Sequence, residues 1–236
     1  MARPILTLLD TIDPFAFGDL QIRGVTEIDG EYYGMFPKDV QYVADDVTII
    51  NLKKAAEAGH GITGSLPTEI GLFRVMTSFA IHENDVTGEL PTQLGYLGFR
   101  LSDRFEVWGN AAIRGNVPTE LGNLDALTGS FVLDGQKGLR GTLPTELGKL
   151  SKLEDRFGFA AGAAEGGGLL TGALPTELGL LTKVEEFTLE GHRFTGPAPT
   201  ELGMLSNLRR GFSLSNDHLG GPMPTQLGRF SRLQVR

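Results

Sequence analysis

Four histidines are the side chains of this sequence best suited to metal binding or acid–base catalysis, and they are His60, His82, His192 and His218. The repeats described below place His82 and His218 near strands five repeats apart, or about 24 Å at the usual strand spacing. Metal ligands lie about 2 Å from their ion, so these two histidines do not share one. His60 and His192 are expected to lie in turns. The sequence therefore predicts no metal site.

Sequence motifs of common enzymes and cofactor sites are missing. There is no G-x-S-x-G motif, and the absence of cysteine removes thiol nucleophiles, thiolate metal sites and disulfides. The run Gly166-Gly167-Gly168 lacks the lysine and the strand-to-helix context of a phosphate-binding loop. The acid pairs Asp45-Asp46 and Glu185-Glu186 are interpreted as solvated turn or strand-edge residues. We therefore expect a protein that is not an enzyme and holds no cofactor.

Charge narrows the class of partner. The chain of 236 residues has a formal net charge of −8. Residues 1–46 carry nine acidic and three basic residues, a net charge of −6, and the remainder carries −2. Neither part has the basic face that binds nucleic acid, and no stretch approaches the roughly 20 apolar residues of a membrane span. The remaining chemistry is surface recognition, and the expected partner is another protein or protein assembly.

A repeated pentapeptide organises the elements that position these residues. Seven copies of P-T-E-L-G or a close variant begin at Pro67, Pro91, Pro118, Pro144, Pro175, Pro199 and Pro224. Successive prolines are 24, 27, 26, 31, 24 and 25 residues apart. A fixed period in the twenties indicates a solenoid, in which each coil buries its apolar side against its neighbours.

Apolar residues within each repeat alternate in the way of a short strand. In the repeat that begins at Pro67 the alternating pair is Phe79 and Ile81. Stacked strands would pair about 4.8 Å apart into one parallel sheet. The equivalent pairs are Phe105/Val107, Phe131/Leu133, Phe157/Phe159, Phe187/Leu189 and Phe212/Leu214, with Ile50/Leu52 as an earlier, degenerate pair.

The full repeat is similar to the plant-type leucine-rich repeat, whose pattern is P-x-x-L-G-x-L-x-x-L-x-x-L-x-L-x-x-N-x-L-T-G-x-L. The similarity covers residues 47–236, about four-fifths of the chain, in about seven repeats of which the last is truncated. It implies an α/β solenoid, a right-handed superhelix with a parallel β-sheet on the concave face and short 3-10 or α turns on the convex face.

The turns of the repeat carry further expectations. The resemblance implies that Asn84 and Asn110, three residues past the second residue of the alternating pair, bond backbone groups of the turn. Other repeats have no asparagine at this position. Gln136, His192 and Asp217 can replace it partly, whereas Gly162 and Ala55 cannot. We therefore expect a less regular convex side. In the pentapeptide, proline fixes φ, threonine is expected to cap a short turn, and glycine to end it. The Thr-Gly or Arg-Gly pair before the next proline suits a glycine turn.

Two segments depart from the repeat. Residues 160–168 are a small-residue insertion just after a strand, interpreted either as a flexible contact loop or as a tolerated bulge. Residues 1–46 hold six of the 19 aromatic residues, including Phe15 and Phe17. They are interpreted as the end cap that a solenoid needs, as an acidic arm that docks on a partner, or as both, with residues 1–20 as the arm and 21–46 as the cap. The seventh repeat stops at Arg236, where its end is either covered by a partner or polar enough to need no cap.

Alternate strand residues point outward and form the candidate binding surface on the concave face. The central outward positions are mostly small, which predicts close approach of a partner. Trp108, the single tryptophan, is directed toward solvent and is predicted to be an interface anchor; the alternative is a ring folded over a neighbouring strand. The candidate partner-binding residues are His82, Arg104, Glu106, Trp108, Asp134, Arg156 and Glu190, together with Phe15 and Phe17.

These observations favour a non-catalytic leucine-rich repeat protein that mediates protein–protein interaction through a rigid solenoid surface. The alternative is a structural subunit of a larger assembly, for example a photosynthetic one in an organelle, attached through residues 1–46 and the C-terminal end. An extracellular ligand-binding domain is a third hypothesis. The absence of cysteines, of glycosylation sequons and of a signal-like N-terminus favours an intracellular or organellar compartment instead.

Overall fold

A computed structural model of the chain describes residues 20–22, 47–53, 63–73, 75–110, 112–161, 168–216 and 218–233. In these ranges the chain winds through coils that each combine a strand, a second short strand and a 3-10 turn. Apart from one short strand, the predicted cap or arm in residues 1–46, with Phe15 and Phe17, lies outside the described residues. So do Ala55, Asp217 and positions 162–167 of the insertion.

Thirteen strands and seven 3-10 helices make up the described part. In chain order the strands are β1 (Leu20–Ile22), β2 (Val47–Lys53), β3 (Thr63–Ser65), β4 (Ser78–His82), β5 (Asp85–Glu89), β6 (Arg104–Trp108), β7 (Ala112–Asn116), β8 (Phe131–Val132), β9 (Gly138–Gly141), β10 (Arg156–Ala160), β11 (Leu169–Gly172), β12 (Glu186–Phe194) and β13 (Gly211–Asn216). The 3-10 helices are Thr68–Leu72, Thr92–Leu97, Thr119–Asn123, Thr145–Lys149, Thr176–Leu180, Thr200–Met204 and Thr225–Arg229.

The first sheet contains one long strand from each coil. Its order is β1-β2-β4-β6-β8-β10-β12-β13, with β1 antiparallel on β2 and every later pair parallel. Phe79 lies opposite Phe105, and Phe105 opposite Phe131, as the alternation predicted. The sheet lies on the concave face of a curled half-barrel and the 3-10 turns on the convex side, which confirms the predicted fold class.

Phenylalanines at the first inward strand position form the spine of the core. Rings in neighbouring coils are stacked with centroids 5.3–5.8 Å apart and interplanar angles of 15–22° from Phe79 to Phe212. Such stacked rings add to the stabilisation from buried area. Leu121 and Leu147 of the pentapeptides complete the core from the convex side and are fully buried.

A second parallel sheet, which the sequence did not predict, follows the turn after each long strand. It contains β3, β5, β7, β9, β11 and the C-terminal half of β12. Val86 and Ile113 are examples of its buried side chains, and each lies between two exposed residues. Gly88 and Gly115 near their ends have φ of 82° and 88°, in agreement with the predicted glycine turn. The expectation of a less regular convex side stays a prediction, because Gly162 and Asp217 lie outside the described residues.

The pentapeptide folds differently in detail from the expectation. Pro118 is the extended residue before the turn, and no side chain caps that turn. The hydroxyl of Thr119 instead donates to the carboxylate of Glu120 at 3.2 Å. The turn continues to Asn123, one residue beyond Gly122, so the glycine does not end it. The predicted threonine cap and glycine stop are therefore wrong.

Close packing of neighbouring turns explains the glycine of the pentapeptide. A Cβ atom at Gly148 would lie 2.5 Å from the carbonyl oxygen of Glu177 in the next coil, and one at Gly71 would lie 2.5 Å from that of Gln93. Both distances are well inside van der Waals contact with a backbone atom that cannot rotate away. In the last turn, a Cβ atom at Gly228 would meet no described atom within 4 Å.

These two environments predict opposite effects of the same substitution. Gly148→Ala should lower the free energy of unfolding by about 1–3 kcal/mol, because adjacent backbones must separate. Gly228→Ala should leave it unchanged or raise it by up to about 1 kcal/mol, since alanine restricts the unfolded chain. Urea denaturation of both variants measures the difference. Equal effects of the two substitutions would show that close packing of the turns does not explain the repeated glycine.

Polar side chains after the long strands tie neighbouring coils together. The amide of Asn110 donates to the carbonyls of Ile81 in the preceding coil and of Trp108. Gln136 donates in the same way to Val107 and Asp134, at 2.8 and 3.2 Å. Glutamine therefore replaces asparagine fully at this position, whereas the sequence predicted a partial replacement.

His192 occupies the same ladder position but satisfies it poorly. The residue is 4% exposed, and both ring nitrogens are buried without a hydrogen-bond partner in the described part of the chain. Burial lowers the pKa of His192 to about 4, and the carbonyl of Phe159, which faces the ring without a well-formed hydrogen bond, only partly offsets this. The folded protein therefore holds a neutral imidazole.

The buried imidazole predicts a stability that depends on pH. The unfolded chain binds a proton at His192 below about pH 6.5 and the folded chain only near pH 4, so acidification favours unfolding. Between pH 7 and 5.5 this residue should remove about 1 kcal/mol of stability. His192→Asn should flatten the dependence and stabilise the fold by supplying a non-titrating donor.

Thermal unfolding at several pH values provides the measurement, and His218→Asn is the matched control because His218 is exposed. The assignment to His192 is wrong if its asparagine variant keeps the same loss of stability between pH 7 and 5.5 as the wild type.

Candidate interaction site on the concave face

The first sheet brings together seven of the nine predicted partner-binding residues. The other two, Phe15 and Phe17, lie outside the described part of the chain. Along the sheet the seven are His82 at the end of β4, Arg104, Glu106 and Trp108 in β6, Asp134 in the turn after β8, Arg156 at the start of β10 and Glu190 in β12.

His82, Glu106 and Trp108 form one cluster across β4 and β6. The imidazole of His82 is stacked on the indole of Trp108, with centroids 4.8 Å apart and an interplanar angle of 27°. Its Nε2 lies 3.2 Å from Oε2 of Glu106. Trp108 is partly buried, so its ring leans over the neighbouring strand as in the alternative interpretation. Its role as an interface anchor stays a prediction.

Electrostatics keep Glu106 ionised within this cluster. Burial raises its pKa, but hydrogen bonding from His82 and the positive charge of Arg104 outweigh burial, and the pKa is lowered overall. Arg104 itself is exposed and forms a further ion pair, at 3.1 Å, with its chain neighbour Asp103. The cluster therefore presents a stacked aromatic pair beside a fixed negative charge.

Arg156 is the centre of a second cluster across three coils. Its Nη2 lies 2.6 Å from Oδ2 of Asp134, and its Nε lies 3.1 Å from Oε1 of Glu186. The other oxygen of Asp134 accepts the backbone N–H of Ala160 at 2.7 Å and so replaces a carbonyl of the sheet ladder. Burial raises the pKa of Asp134, and the charge of Glu190 raises it further. Arg156 and the N–H of Ala160 lower this pKa, but they offset only part of the increase. Asp134 and Arg156 therefore maintain the fold as well as line the face.

Small residues at the central outward positions are covered rather than open. Ala80 is 1% exposed and Val132 is 3% exposed. At Gly158 a Cβ atom would lie 3.1 Å from the carboxylate of Asp134 and 3.2 Å from Nε of Arg156, so the side chain of Arg156 lies across this position. A partner therefore meets a layer of aromatic and charged side chains, and not the bare sheet that the sequence predicted.

Two further groups of residues at the surface were not found from the sequence. Just before the strands, Arg210 bonds to Asp155 and to Glu185, and Arg209 bonds to Glu185. The sequence contained a signal for these ion pairs. Asp155 precedes β10, Glu185 precedes β12 and Arg209-Arg210 precede β13, and these equivalent positions come together when the coils stack.

The second group is aromatic and lies on the convex side. Tyr96 and Phe99 are 66% and 77% exposed, and the guanidinium of Arg100 lies 5.8 Å from the centre of the Phe99 ring. Later repeats carry Asn123 and Lys149 at the position of Tyr96. Leu72, Leu180 and Met204 occupy the same position in other repeats and are also exposed. An aromatic residue at this outward position of the turn was therefore the signal for this group.

No group of three or more histidine, cysteine or acidic residues in the described ranges is arranged to hold a metal ion. Among the described helices, none has both the length and the apolar character needed to cross a membrane.

Comparison with known proteins connects this geometry to a class. No protein-family model and no curated protein matches the chain. Among solved structures, this chain is similar to the ectodomain of the Arabidopsis thaliana receptor kinase GASSHO1/SCHENGEN3, which was solved in complex with CASPARIAN STRIP INTEGRITY FACTOR 2. The two sequences are 26% identical, the match covers 87% of this chain and 22% of the receptor chain, and the TM-score is 0.71. A TDR receptor is 25% identical over 86% of this chain and 32% of its own, with a TM-score of 0.72.

An internalin from Listeria monocytogenes shares the fold alone, at 16% identity over 84% of this chain and 50% of its own, with a TM-score of 0.58. The chain spans between about a fifth and a third of the length of the two receptor structures. The fold and the concave face define a leucine-rich repeat solenoid, which is a protein-interaction fold. Within that class, the similarity to plant receptor ectodomains supports the plant-type repeat that the sequence predicted.

The ion pairs of the concave face predict unequal roles for two arginines in the same column of the sheet. Arg156→Met should lower the free energy of unfolding by about 1–3 kcal/mol, because it leaves the partly buried Asp134 and Glu186 without their partner. Arg104→Met should cost at most about 0.5 kcal/mol, since its pair with Asp103 is exposed. Chemical denaturation measures both values. A cost at Arg104 equal to that at Arg156 would contradict the structural role of Arg156.

Proposed function

We propose that this protein is a non-catalytic recognition module that binds another polypeptide on the concave face of its first sheet, with Trp108 as the anchor. The observation that carries the proposal is the partly exposed pair of His82 and Trp108 beside Arg104 and Glu106. Tryptophan and arginine are enriched among residues that dominate binding energy. The four side chains offer one aromatic surface with both signs of charge next to it.

Preorganisation of the face supports the same proposal. Glu106 contacts His82, and Arg156 bridges Asp134 and Glu186, so these side chains are held before any partner arrives. Binding to a surface that is already ordered loses less side-chain entropy than binding to a mobile one. The solenoid therefore acts as a rigid frame on which differences between repeats select the ligand.

Similarity to receptor structures favours a polypeptide ligand. The GASSHO1/SCHENGEN3 ectodomain was solved in complex with CASPARIAN STRIP INTEGRITY FACTOR 2. A polypeptide ligand for the present chain rests on this analogy of fold and, independently, on the partly exposed aromatic and charged side chains around Trp108. The alternative of a subunit in an organellar assembly gains no support from the similar structures.

The proposal is tested by affinity purification from the native source with the full chain as bait. Polypeptides captured by the wild type should be depleted about 10-fold or more with Trp108→Ala, because truncation of an anchor residue costs roughly 2 kcal/mol or more. Tyr96→Ala is the matched control, since it removes an aromatic side chain that is 66% exposed on the convex side. Quantitative mass spectrometry of the captured chains measures the depletion.

Thermal unfolding of both variants must remain cooperative above the assay temperature, so that lost binding is not lost folding. Capture that survives Trp108→Ala and disappears with Tyr96→Ala would move the binding surface to the convex side and reject the proposal. Capture of no polypeptide by the wild-type chain would also count against it.

A further inference from the structure

The outward face of the second sheet carries arginines that the concave face does not explain. Strands β7, β9 and β12 alternate between buried and exposed residues, and Arg114, Arg140 and Arg193 are on the exposed side. Ile113, Leu139 and Phe194 point inward and are at most 1% exposed. The three arginines therefore stand on one solvated sheet surface, which we call the arginine row.

The arginine row is unpaired, in contrast to the arginines of the first sheet. Arg104, Arg156 and Arg210 each form an ion pair with a carboxylate. In the described part of the chain, no side chain of the arginine row takes part in an ion pair, a hydrogen bond or a ring contact, although the backbones pair within the sheet. In a protein with a formal charge of −8, three guanidinium groups on a single face, none of them in an ion pair within the described residues, are binding capacity that the fold does not use.

The register of the second sheet sets the spacing of the row. Arg140 on β9 lies opposite Asn116 on β7, and Asn116 is two residues after Arg114 on that same strand. Leu169 on β11 lies opposite Arg140, and Thr171, two residues further on, lies opposite Arg193. The row therefore runs diagonally across the strands. From the strand spacing and the rise per residue, its Cα atoms are about 8 Å and about 12 Å apart.

We propose that the arginine row is a second interaction surface, which binds an extended acidic segment of a partner protein. A guanidinium group pairs a carboxylate through two parallel hydrogen bonds. Residues of an extended chain rise about 3.3 Å each, so carboxylates two to four residues apart match the row. The side chain of Asn116, which is exposed beside the row, offers hydrogen bonds to the backbone of such a segment. The exposed hydroxyl of Thr171 donates to the carbonyl of Gly141 at 3.3 Å and can accept a further hydrogen bond.

Acidic residues on the same face argue for separated carboxylates and against a dense polyanion. Glu89 lies directly opposite Arg114 in the sheet register, and Asp85 is exposed on the same strand. A sulfated polysaccharide, which carries charge along its whole length, would be repelled at these positions. A peptide can place uncharged residues there.

The experiment uses the full chain and a 12-residue peptide of alternating glutamate and glycine, with a glutamine–glycine peptide for comparison. Fluorescence anisotropy at low salt measures the dissociation constant. Each of Arg114→Gln, Arg140→Gln and Arg193→Gln should weaken binding of the glutamate peptide about 2- to 5-fold, and the triple variant at least about 10-fold. The glutamine peptide should not bind measurably.

A triple variant of equal charge is the control, and it carries Lys149→Gln, Lys152→Gln and Arg229→Gln. All three residues are exposed and are away from the second sheet. It should bind the glutamate peptide within about 2-fold of the wild type, and Trp108→Ala should do the same. Because the test does not involve the concave face, its failure would leave the function proposed for that face intact.

Three results would overturn the second surface. The first is equal weakening by the two triple variants, which would reduce the effect to net charge. The second is loss of peptide binding with Trp108→Ala but not with the arginine variants. The third is tighter binding of heparin than of the glutamate peptide, with the same dependence on the three arginines, which would make the partner a polysaccharide.

Discussion

Close stacking of each coil on the next is the constraint on which the rest of the structure depends. At Gly148 the backbone of the next turn leaves no space for a Cβ atom, and at the first inward strand position the aromatic rings are 5.3–5.8 Å apart. A coil contacts only its two neighbours, so the same spacing must hold on the concave sheet, the second sheet and the turns at once. This is why one pentapeptide recurs along the chain while the outward residues vary.

The same constraint explains which parts of the fold the sequence could predict. Inward residues must coincide from coil to coil, so the positions of Phe79, Phe105 and Phe131 were sufficient to predict the strands and their register. Strands of the second sheet bury a single residue such as Ile113 between exposed ones, which is too short a run for periodicity to detect. The expected cap at Thr119 was wrong because capping preference is local, whereas Pro118 already provides the extended residue that precedes the turn.

The candidate site was less predictable because its geometry depends on pairs that are distant in the sequence. Alternation correctly indicated that Trp108 and Arg156 leave the core, but it contains no information on where long side chains lie. Arg156 reaches Asp134, which is 22 residues earlier, and Arg210 reaches Asp155, which is 55 residues earlier. Each pair joins side chains across neighbouring or alternate coils, so it requires the stacking geometry and the rotamers, and neither can be read from one repeat.

The two sheets use arginine in different ways, and this bears on how each would bind. An arginine such as Arg156 is already neutralised by Asp134 and Glu186, so a ligand gains little charge interaction there and must gain affinity from shape and from aromatic contact with Trp108. Among the described residues Arg140 on the second sheet has no such partner, and a ligand would interact with its charge in exposed surroundings, where salt screens the attraction. Binding to the concave face should therefore depend little on ionic strength, and binding to the arginine row strongly. A single solenoid can in this way hold one surface that selects by fit and another that selects by charge.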